Sequence, residues 1–113
     1  MECLFCNIAA GKIPGNLLYE DKEIVAFHDI HPVAPVHLLI IPRKHIVSVN
    51  ELTAENDVLV GKIVRVAQKL AVKFALADKG YRLVNNQGKD GGQTIFHLHF
   101  HLLGGKMLAW PPC

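Results

Sequence analysis

Histidine occupies every second position in one segment near the end of the chain, at His97, His99 and His101, and the residues between them are apolar. Successive side chains of a β-strand point to opposite faces, so this alternation predicts a strand over residues 95–103. The three imidazoles then share one face, about 6.6 Å apart, while Leu98 and its apolar neighbours enter a core on the other face. The segment therefore belongs in a sheet that is packed on at least one side.

Three histidines on one face indicate chemistry, because burying imidazoles without partners is costly. One interpretation is a metal site, since neighbouring histidines can converge on a zinc ion. The other is phosphorus chemistry, in which one imidazole attacks and a neighbour handles the proton of the leaving group. The spacing alone does not choose between these two interpretations.

One long helix is predicted over residues 54–77, where apolar residues recur at steps of three and four. Thr53 is the expected N-cap, and Gly80 lies just beyond the expected end. A short helix is expected over residues 4–10. The apolar stripe of the long helix consists of Leu59, Ile63, Val66, Leu70 and Phe74.

Short strands separated by turns account for much of the remaining chain. They are expected over residues 16–20, 23–28, 37–41 and 81–85. Residues 29–35 are expected to form a loop, because its two prolines exclude helix and favour extended geometry at the residues before them. Hairpins with one long helix indicate an α+β fold with an antiparallel sheet, not alternating βαβ units.

Composition narrows the class of protein. With 113 residues, half of them hydrophobic, residues 1–113 are expected to form a single packed domain. The net charge of +2 and the absence of a basic cluster argue against a nucleic-acid partner, and no apolar run is long enough to span a membrane. Three cysteines, an odd number, and the lack of a secretory signal favour a reducing compartment, so the expected location is cytoplasmic.

A glycine-rich loop leads into the histidine segment. Residues 88–92 contain three glycines, whose backbone N–H groups can approach an anion closely. Thr94 adds a hydroxyl group, and Asp29, in the loop after a predicted strand, can accept hydrogen bonds from a ribose diol. Together with the imidazoles, these residues predict a phosphate-binding site, which favours phosphorus chemistry over a metal site.

The histidine segment and the preceding Gly91-Gly92-Gln93-Thr94 resemble the signature of the histidine-triad (HIT) family. Further matching motifs are spread over nearly the whole chain: Ile13-Pro14, Ala26-Phe27-His28-Asp29-Ile30, Pro32, Ala34-Pro35, His37, Ile41-Pro42, Lys44-His45-Ile46, Gly80-Tyr81-Arg82 and Trp110-Pro111-Pro112. The last motif is more similar to the HINT branch, the histidine-triad nucleotide-binding proteins, than to the dinucleoside polyphosphate hydrolases. The resemblance implies a HIT-like fold and a homodimer whose antiparallel sheet continues across the interface.

The same resemblance implies a purine nucleoside phosphoramidase, which hydrolyses an AMP-like substrate joined to an amine, or an aminoacyl adenylate, through a covalent nucleotidyl-histidine. His99 matches the nucleophile, and His101 matches the histidine that contacts the phosphate and the leaving group. His97 and His37 match the supporting histidines, and Thr94 stands where the family usually has serine. The matching nucleotide-contacting positions are Asp29 for the ribose, Asn86 and Gly92 for the phosphate, Trp110 toward the partner subunit's site, and Leu4, Phe5, Ile8, Ile13, Phe27, His28 and Ile30 around the base. Catalysis of this kind requires no cofactor.

Cys3 and Cys6 have the spacing of half a zinc site. By resemblance to family members with this cysteine pair, His45 and His97 would complete a structural zinc site. Free thiols on a helix are the alternative, and the sequence leaves both open. Cys113 has no role that the sequence indicates.

Three other functions stay open. The first is a nucleotide-binding or interaction module with vestigial catalysis, which the complete triad argues against. The second is a dinucleoside polyphosphate hydrolase or a nucleotidyl transferase, which the tail Trp110-Pro111-Pro112 and the third histidine argue against. The third is a metal-dependent enzyme that uses the triad as ligands.

Overall fold

Five strands form one antiparallel sheet in the computed structural model, which describes residues 3–112. The main elements, in chain order, are α1 (Leu4–Ala9), β1 (Leu17–Glu20), β2 (Ile24–His28), β3 (Val36–Pro42), α2 (Asp57–Lys73), β4 (Tyr81–Val84) and β5 (Phe100–Gly104). The strands lie in the order β1-β2-β3-β5-β4, so β1 and β4 are the edges. The predicted α+β fold, with an antiparallel sheet, one long helix and one short N-terminal helix, is confirmed. Cys113 lies outside the described residues.

Helix α2 covers one face of the sheet. The middle of its apolar stripe is buried as the periodicity predicts, and Ile63 and Leu70 share a core with Leu38 of β3 and Leu102 of β5. The two ends of the stripe, Leu59 and Phe74, are partly buried against this core. Phe100 also packs against this core, so the apolar residues of the histidine strand face the helix. Each fully buried side chain of this size contributes about 1.5–3 kcal/mol relative to exposure, which makes this core the main support of the sheet.

The opposite face of the sheet packs against α1. Phe5 and Ile8 of this helix form a second apolar cluster with Phe27 of β2 and Leu39 of β3. Alternate residues of the middle strands thus serve two cores, because strand side chains alternate between faces. Helix α1 has only six residues, too few to be stable without tertiary packing.

Helix α2 is shorter than the sequence predicts. Residues 54–56 form a 3₁₀ turn, in which the Asn56 side chain accepts a hydrogen bond from the Thr53 N–H at 2.9 Å. The helix ends at Lys73, before Ala77, because Ala75 adopts a left-handed conformation with φ of 60°. Gly80 is therefore not the residue that terminates this helix.

The strand predicted over residues 95–103 is also shorter, since β5 begins only at Phe100. Phe100 pairs with Ile40, and the same register would place Leu98 opposite Pro42, which has no N–H to donate. The Leu98 N–H instead donates to the Ile46 carbonyl at 2.6 Å. The histidine segment thus joins the regular ladder only after His99.

The other elements begin and end within one residue of their predicted boundaries. Within residues 3–112, no helix is both long and apolar enough to cross a membrane.

Candidate active site

The three histidines of the triad lie on the α1 side of the sheet. The Phe5 ring meets the rings of His97 and His99 edge-on, with centroids 6.0 and 5.2 Å away, and the His99 and His101 rings are 5.1 Å apart. Their neighbours differ, however. His97 faces the two cysteines of α1, whereas His101 faces His37 of β3.

His99 is buried and held in one tautomer. Its Nδ1 lies 2.7 Å from the His97 carbonyl oxygen, which can only accept, so Nδ1 carries the proton and Nε2 has a free lone pair. The Asn85 side chain donates to the His99 carbonyl at 2.9 Å and fixes the backbone of the same residue. Sequence reasoning missed Asn85, whose only signal was a polar side chain at the end of a predicted strand.

His101 is held in the opposite tautomer by His37. The Val33 N–H donates to His37 Nδ1 at 3.1 Å, so the proton of neutral His37 must sit on Nε2. His37 Nε2 lies 2.8 Å from His101 Nδ1 and donates to it. His101 therefore carries its own proton on Nε2, the nitrogen that this pair leaves free to donate.

Asp29 stands beside this pair. Its Oδ2 lies 3.3 Å from His37 Nε2, and its Oδ1 accepts from the His31 N–H at 2.8 Å. Burial lowers the pKa of His37, and the charge of Asp29 opposes this shift. Burial, with His99 and His37 as neighbours, lowers the pKa of His101 to about 4, and Asp29 again acts in the opposite direction. Both imidazoles are therefore neutral at physiological pH in the free protein.

The glycine-rich loop is fixed by side-chain amides. Asn86 donates through Nδ2 to the Gly91 carbonyl at 2.6 Å, and Gln93 accepts from the Gly88 N–H at 3.0 Å. Gly92 has a left-handed backbone with φ of 80°, a conformation that glycine adopts without strain. Thr94 is exposed beyond it. Sequence reasoning gave Gln93 only a place in the family signature, although its buried amide anchors the loop.

The apolar residues matched to the base wall fall into three groups. Phe5, Ile8 and Phe27 are buried in the α1 cluster, and Ile13 packs against them. Leu4 and Ile30, by contrast, are 45% and 83% exposed, so they offer free apolar surface. His28 alone forms the third group, because it faces away from this wall.

The His28 side chain is not brought to this wall. Its ring packs edge-on against Phe74, just after α2, with centroids 5.9 Å apart. The reason is the strand alternation, which sends the Phe27 side chain toward α1 and the His28 side chain to the helix α2 face.

Trp110 lies near the β4 edge of the sheet. It is 79% exposed, the Arg82 guanidinium lies 5.9 Å from its ring centroid, and the same Arg82 donates to the Ala109 carbonyl at 2.9 Å. Within one chain, these are the contacts that hold the tail.

The second cluster consists of Cys3, Cys6, His45 and His97, whose potential ligand atoms all lie within 4.8 Å of one another. His97 Nδ1 is 3.3 Å from Cys3 Sγ, 3.4 Å from Cys6 Sγ and 3.3 Å from His45 Nδ1. Zn–N bonds of about 2.0–2.1 Å and Zn–S bonds of about 2.3 Å give tetrahedral edges of about 3.3 Å between nitrogens and about 3.6 Å between nitrogen and sulfur. The donor set therefore has the size and chemistry of a zinc site.

The protonation of this cluster also suits a cation. His97 Nε2 lies 2.8 Å from the Pro42 carbonyl, so it carries the proton and leaves Nδ1 with a free lone pair toward the cysteines. Burial and the neighbouring Cys3 raise the pKa of Cys6 to about 11, and a bound metal ion would offset this by favouring the thiolate.

The triad does not gather as three ligands of one ion. Within the described residues, potential ligand atoms form two groups: Cys3, Cys6, His45 and His97 in one, and Asp29, His37 and His101 in the other. His97 and His101 thus fall in different groups, which argues against a catalytic site built on the triad as ligands.

Comparison with known proteins identifies the family. The family model described as HIT domain matches residues 10–108. An uncharacterized HIT-like protein from Synechococcus elongatus is 45% identical over 111 residues, which cover 98% of this chain and 96% of that protein. The crystal structure of a HIT family hydrolase from Legionella pneumophila is 50% identical, with a TM-score of 0.97 and coverage of 99% of this chain and 100% of that one. A histidine triad nucleotide-binding protein from Candida albicans is 32% identical, with a TM-score of 0.82 and coverage of 97% and 83%. On this agreement of sequence and fold, the chain belongs to the HIT domain family.

Proposed function

We propose that this protein is a hydrolase of the HINT branch, which cleaves the P–N bond of purine nucleoside phosphoramidates through a nucleotidyl-histidine. The observation that carries the proposal is the pairing of tautomers: His99 offers a free Nε2 lone pair, and its neighbour His101 offers an Nε2–H. The names of two similar proteins, a HIT family hydrolase and a histidine triad nucleotide-binding protein, support the hydrolase and nucleotide-binding parts of this proposal.

In the first step, His99 Nε2 attacks phosphorus, a P–N bond to His99 forms and the P–N bond to the amine breaks. The His99 ring gains positive charge, which the His97 carbonyl stabilises through Nδ1–H. The leaving amine needs a proton, which comes from the His37–His101 pair in its cationic state. The Asp29 carboxylate and the negative charge of the bound phosphoryl group both favour that state.

In the second step, water attacks the phosphorus and the bond to His99 breaks. Having given its Nε2 proton to the amine, His101 keeps its other proton on Nδ1, toward His37, so its Nε2 lone pair accepts the proton of the water and the pair returns to its cationic starting state. Backbone N–H groups of the loop near Gly92 and the Thr94 hydroxyl stabilise the charge on the phosphoryl oxygens. No step of this sequence uses a metal ion.

The substrate is placed by its ribose and its base. Asp29 Oδ2 accepts from the ribose diol, and the exposed Leu4 and Ile30 flank the base. Asn86 supports the phosphate side through the loop it fixes. Thr94 in place of serine adds a methyl group on the side of the leaving group, so the choice of amine is where this protein is expected to differ from relatives with serine.

The first experiment measures amine release from an adenosine 5′-phosphoramidate that carries a fluorescent amine. We expect release by the wild-type protein, persistence after brief EDTA treatment, and a loss of about 10³-fold or more in His99→Ala, because the covalent route is closed. His31→Ala, which removes an exposed loop histidine, is the matched control and should leave the rate unchanged. Near-normal turnover by His99→Ala would contradict the assignment.

The same assay separates the alternatives. Splitting of a diadenosine polyphosphate without amine release would indicate the dinucleoside polyphosphate hydrolases. Nucleotide binding without either reaction would indicate a binding module, and complete loss of turnover with EDTA would indicate a catalytic metal.

We also propose that Cys3, Cys6, His45 and His97 hold a structural zinc ion, as the tetrahedral edges support. Such a site needs reduced cysteines, which is consistent with the proposed cytoplasmic location. Metal analysis of protein purified without chelator should find close to one zinc per chain. A value below about 0.1 per chain would contradict the site.

A further inference from the structure

His97 belongs to both clusters of the protein. Its side chain points Nδ1 at Cys3 and His45, each 3.3 Å away, while its backbone carbonyl accepts from His99 Nδ1 at 2.7 Å. One buried residue therefore connects the predicted metal ligands to the group that sets the tautomer of the nucleophile. No part of this connection passes through solvent, because His97 is fully buried.

The His97 ring needs two partners to be fixed. Its Nε2 donates to the Pro42 carbonyl at 2.8 Å, which leaves the direction of Nδ1 to be set by the cluster. A ligand bond at Nδ1 would hold the ring at both nitrogens, and outer partners of this kind fix the orientation of metal-bound imidazoles. His97 lies outside the regular ladder of β5, so the direction of its carbonyl is set by two other contacts. One is the hydrogen bond from the Leu98 N–H, in the same peptide unit, to the carbonyl of Ile46, the residue after His45, and the other is the pair of contacts that hold the His97 ring.

Helix α1 is attached to the same cluster. Cys3 caps the helix, with its sulfur accepting from the Cys6 N–H at 3.3 Å, and Cys6 lies in the first turn. Phe5 stands between the two cysteines, and its ring meets His99 edge-on. A six-residue helix has little stability of its own, so ligation at both cysteines would determine where the Phe5 ring lies.

We propose that this cluster is a positioning device for the active site, so that zinc bound by Cys3, Cys6, His45 and His97 fixes the His99 nucleophile and the Phe5 ring. The inference rests on the proposed function and on the proposed zinc site. It goes beyond a structural zinc, because it assigns to His45 and the cysteines a measurable effect on a reaction that they do not touch.

His45→Ala is the informative variant, because His45 is exposed and contacts Cys6 and His97, not His99. We expect loss of zinc, a fall in kcat on the order of 10-fold and a rise in KM. We also expect loss of the hydrogen-bonded Nδ1–H proton resonance of His99, which reports directly on its hydrogen bond to the His97 carbonyl. His45→Cys supplies another zinc ligand and should restore zinc, kcat and the resonance together.

Ile63→Ala is the matched control for lost stability. Ile63 lies in the core on the opposite face of the sheet, so this variant should keep zinc, kcat, KM and the resonance at temperatures where it is folded. The inference is overturned if the wild-type protein binds no zinc, or if His45→Ala loses zinc while kcat and the His99 resonance stay unchanged. A resonance that follows zinc in a protein without phosphoramidate turnover would overturn the proposed function and leave the positioning role supported.

Discussion

Two histidines that are two residues apart, His99 and His101, hold their protons on opposite nitrogens. The difference comes from their partners, since a backbone carbonyl can only accept from His99 while the imidazole of His37 donates to His101. The proposed nucleophile and the proposed proton donor, two residues of the same type, are thus distinguished by hydrogen bonding alone. At this scale the alternation in the sequence predicts that the histidines share a side of the sheet, which the ring contacts confirm.

The sequence could not predict the tautomers. They depend on the Val33 N–H and the His97 carbonyl, which are backbone groups whose direction follows from the tertiary structure. The position of His28, by contrast, follows from the strand predicted over residues 23–28, in which Phe27 and His28 must face opposite sides. Matching the family motif places both residues around the base, because a motif gives order along the chain and not the direction of a side chain.

The depressed pKa of His101 makes stability depend on pH. Its value of about 4 in the folded protein lies below the ordinary 6.5, so the unfolded chain binds more protons between these values. The stabilisation is fully present above pH 6.5 and is lost as the pH falls toward 4. We expect the unfolding free energy from urea titrations to decrease over this window, and to decrease less steeply in His101→Gln. An equal slope in both proteins would show that His101 does not titrate in this way.

At the scale of elements, the hydrophobic periodicity predicts α2 well and its ends poorly. The end of the helix is set by Ala75, whose N–H and that of Leu76 donate to the carbonyls of Val72 and Ala71. This pattern normally has glycine in the left-handed position. An alanine does not indicate a left-handed residue in the sequence, so the predicted helix extends toward Gly80.

The strand of the triad shows a similar limit. Alternation predicts the direction of its side chains but not where the hydrogen-bonded ladder stops. That point is set by Pro42 on the neighbouring strand, which lies 55 residues before His97 in the sequence.

Ala75→Gly should stabilise the protein by about 0.5–1 kcal/mol, because glycine relieves the strain of the left-handed backbone at this position. The greater flexibility of glycine in the unfolded chain offsets part of this stabilisation. Chemical denaturation measures the difference. Ala77→Gly, an exposed site without positive φ, is the matched control and should be neutral or destabilising. Destabilisation by Ala75→Gly equal to that of the control would contradict the role assigned to this residue.

At the scale of the whole molecule, the edge strand β4 offers a surface on which a second chain could pair. Among the described residues, strand β4 pairs with β5 alone, and beside it lies a cavity of about 750 Å³ lined by residues that include Tyr81 and Met107. Met107 and Trp110 are 94% and 79% exposed. An unpaired edge with exposed apolar side chains favours association, which supports the proposed homodimer.

Sedimentation equilibrium should therefore give twice the chain mass of 12.5 kDa. Tyr81→Lys, which adds a charge to β4, should shift the equilibrium toward the monomer. Leu17→Lys on β1, the other edge of the sheet, is the matched control and should leave the dimer intact. A monomeric wild-type protein, or a dimer lost only in Leu17→Lys, would contradict this interface.

The two faces of the sheet differ in their distance from the proposed active site, which lies on the α1 side. We expect substitutions among the α2-facing residues, such as Ile63 and Leu70, to change mainly the free energy of unfolding. Substitutions around Phe5 and His99 should also change the proposed activity. A lineage or a mutant library could therefore drift widely on the helix side while substrate preference stays constant. Stability gained on the helix α2 side could then offset the stability lost when residues of the proposed active site on the α1 side are changed.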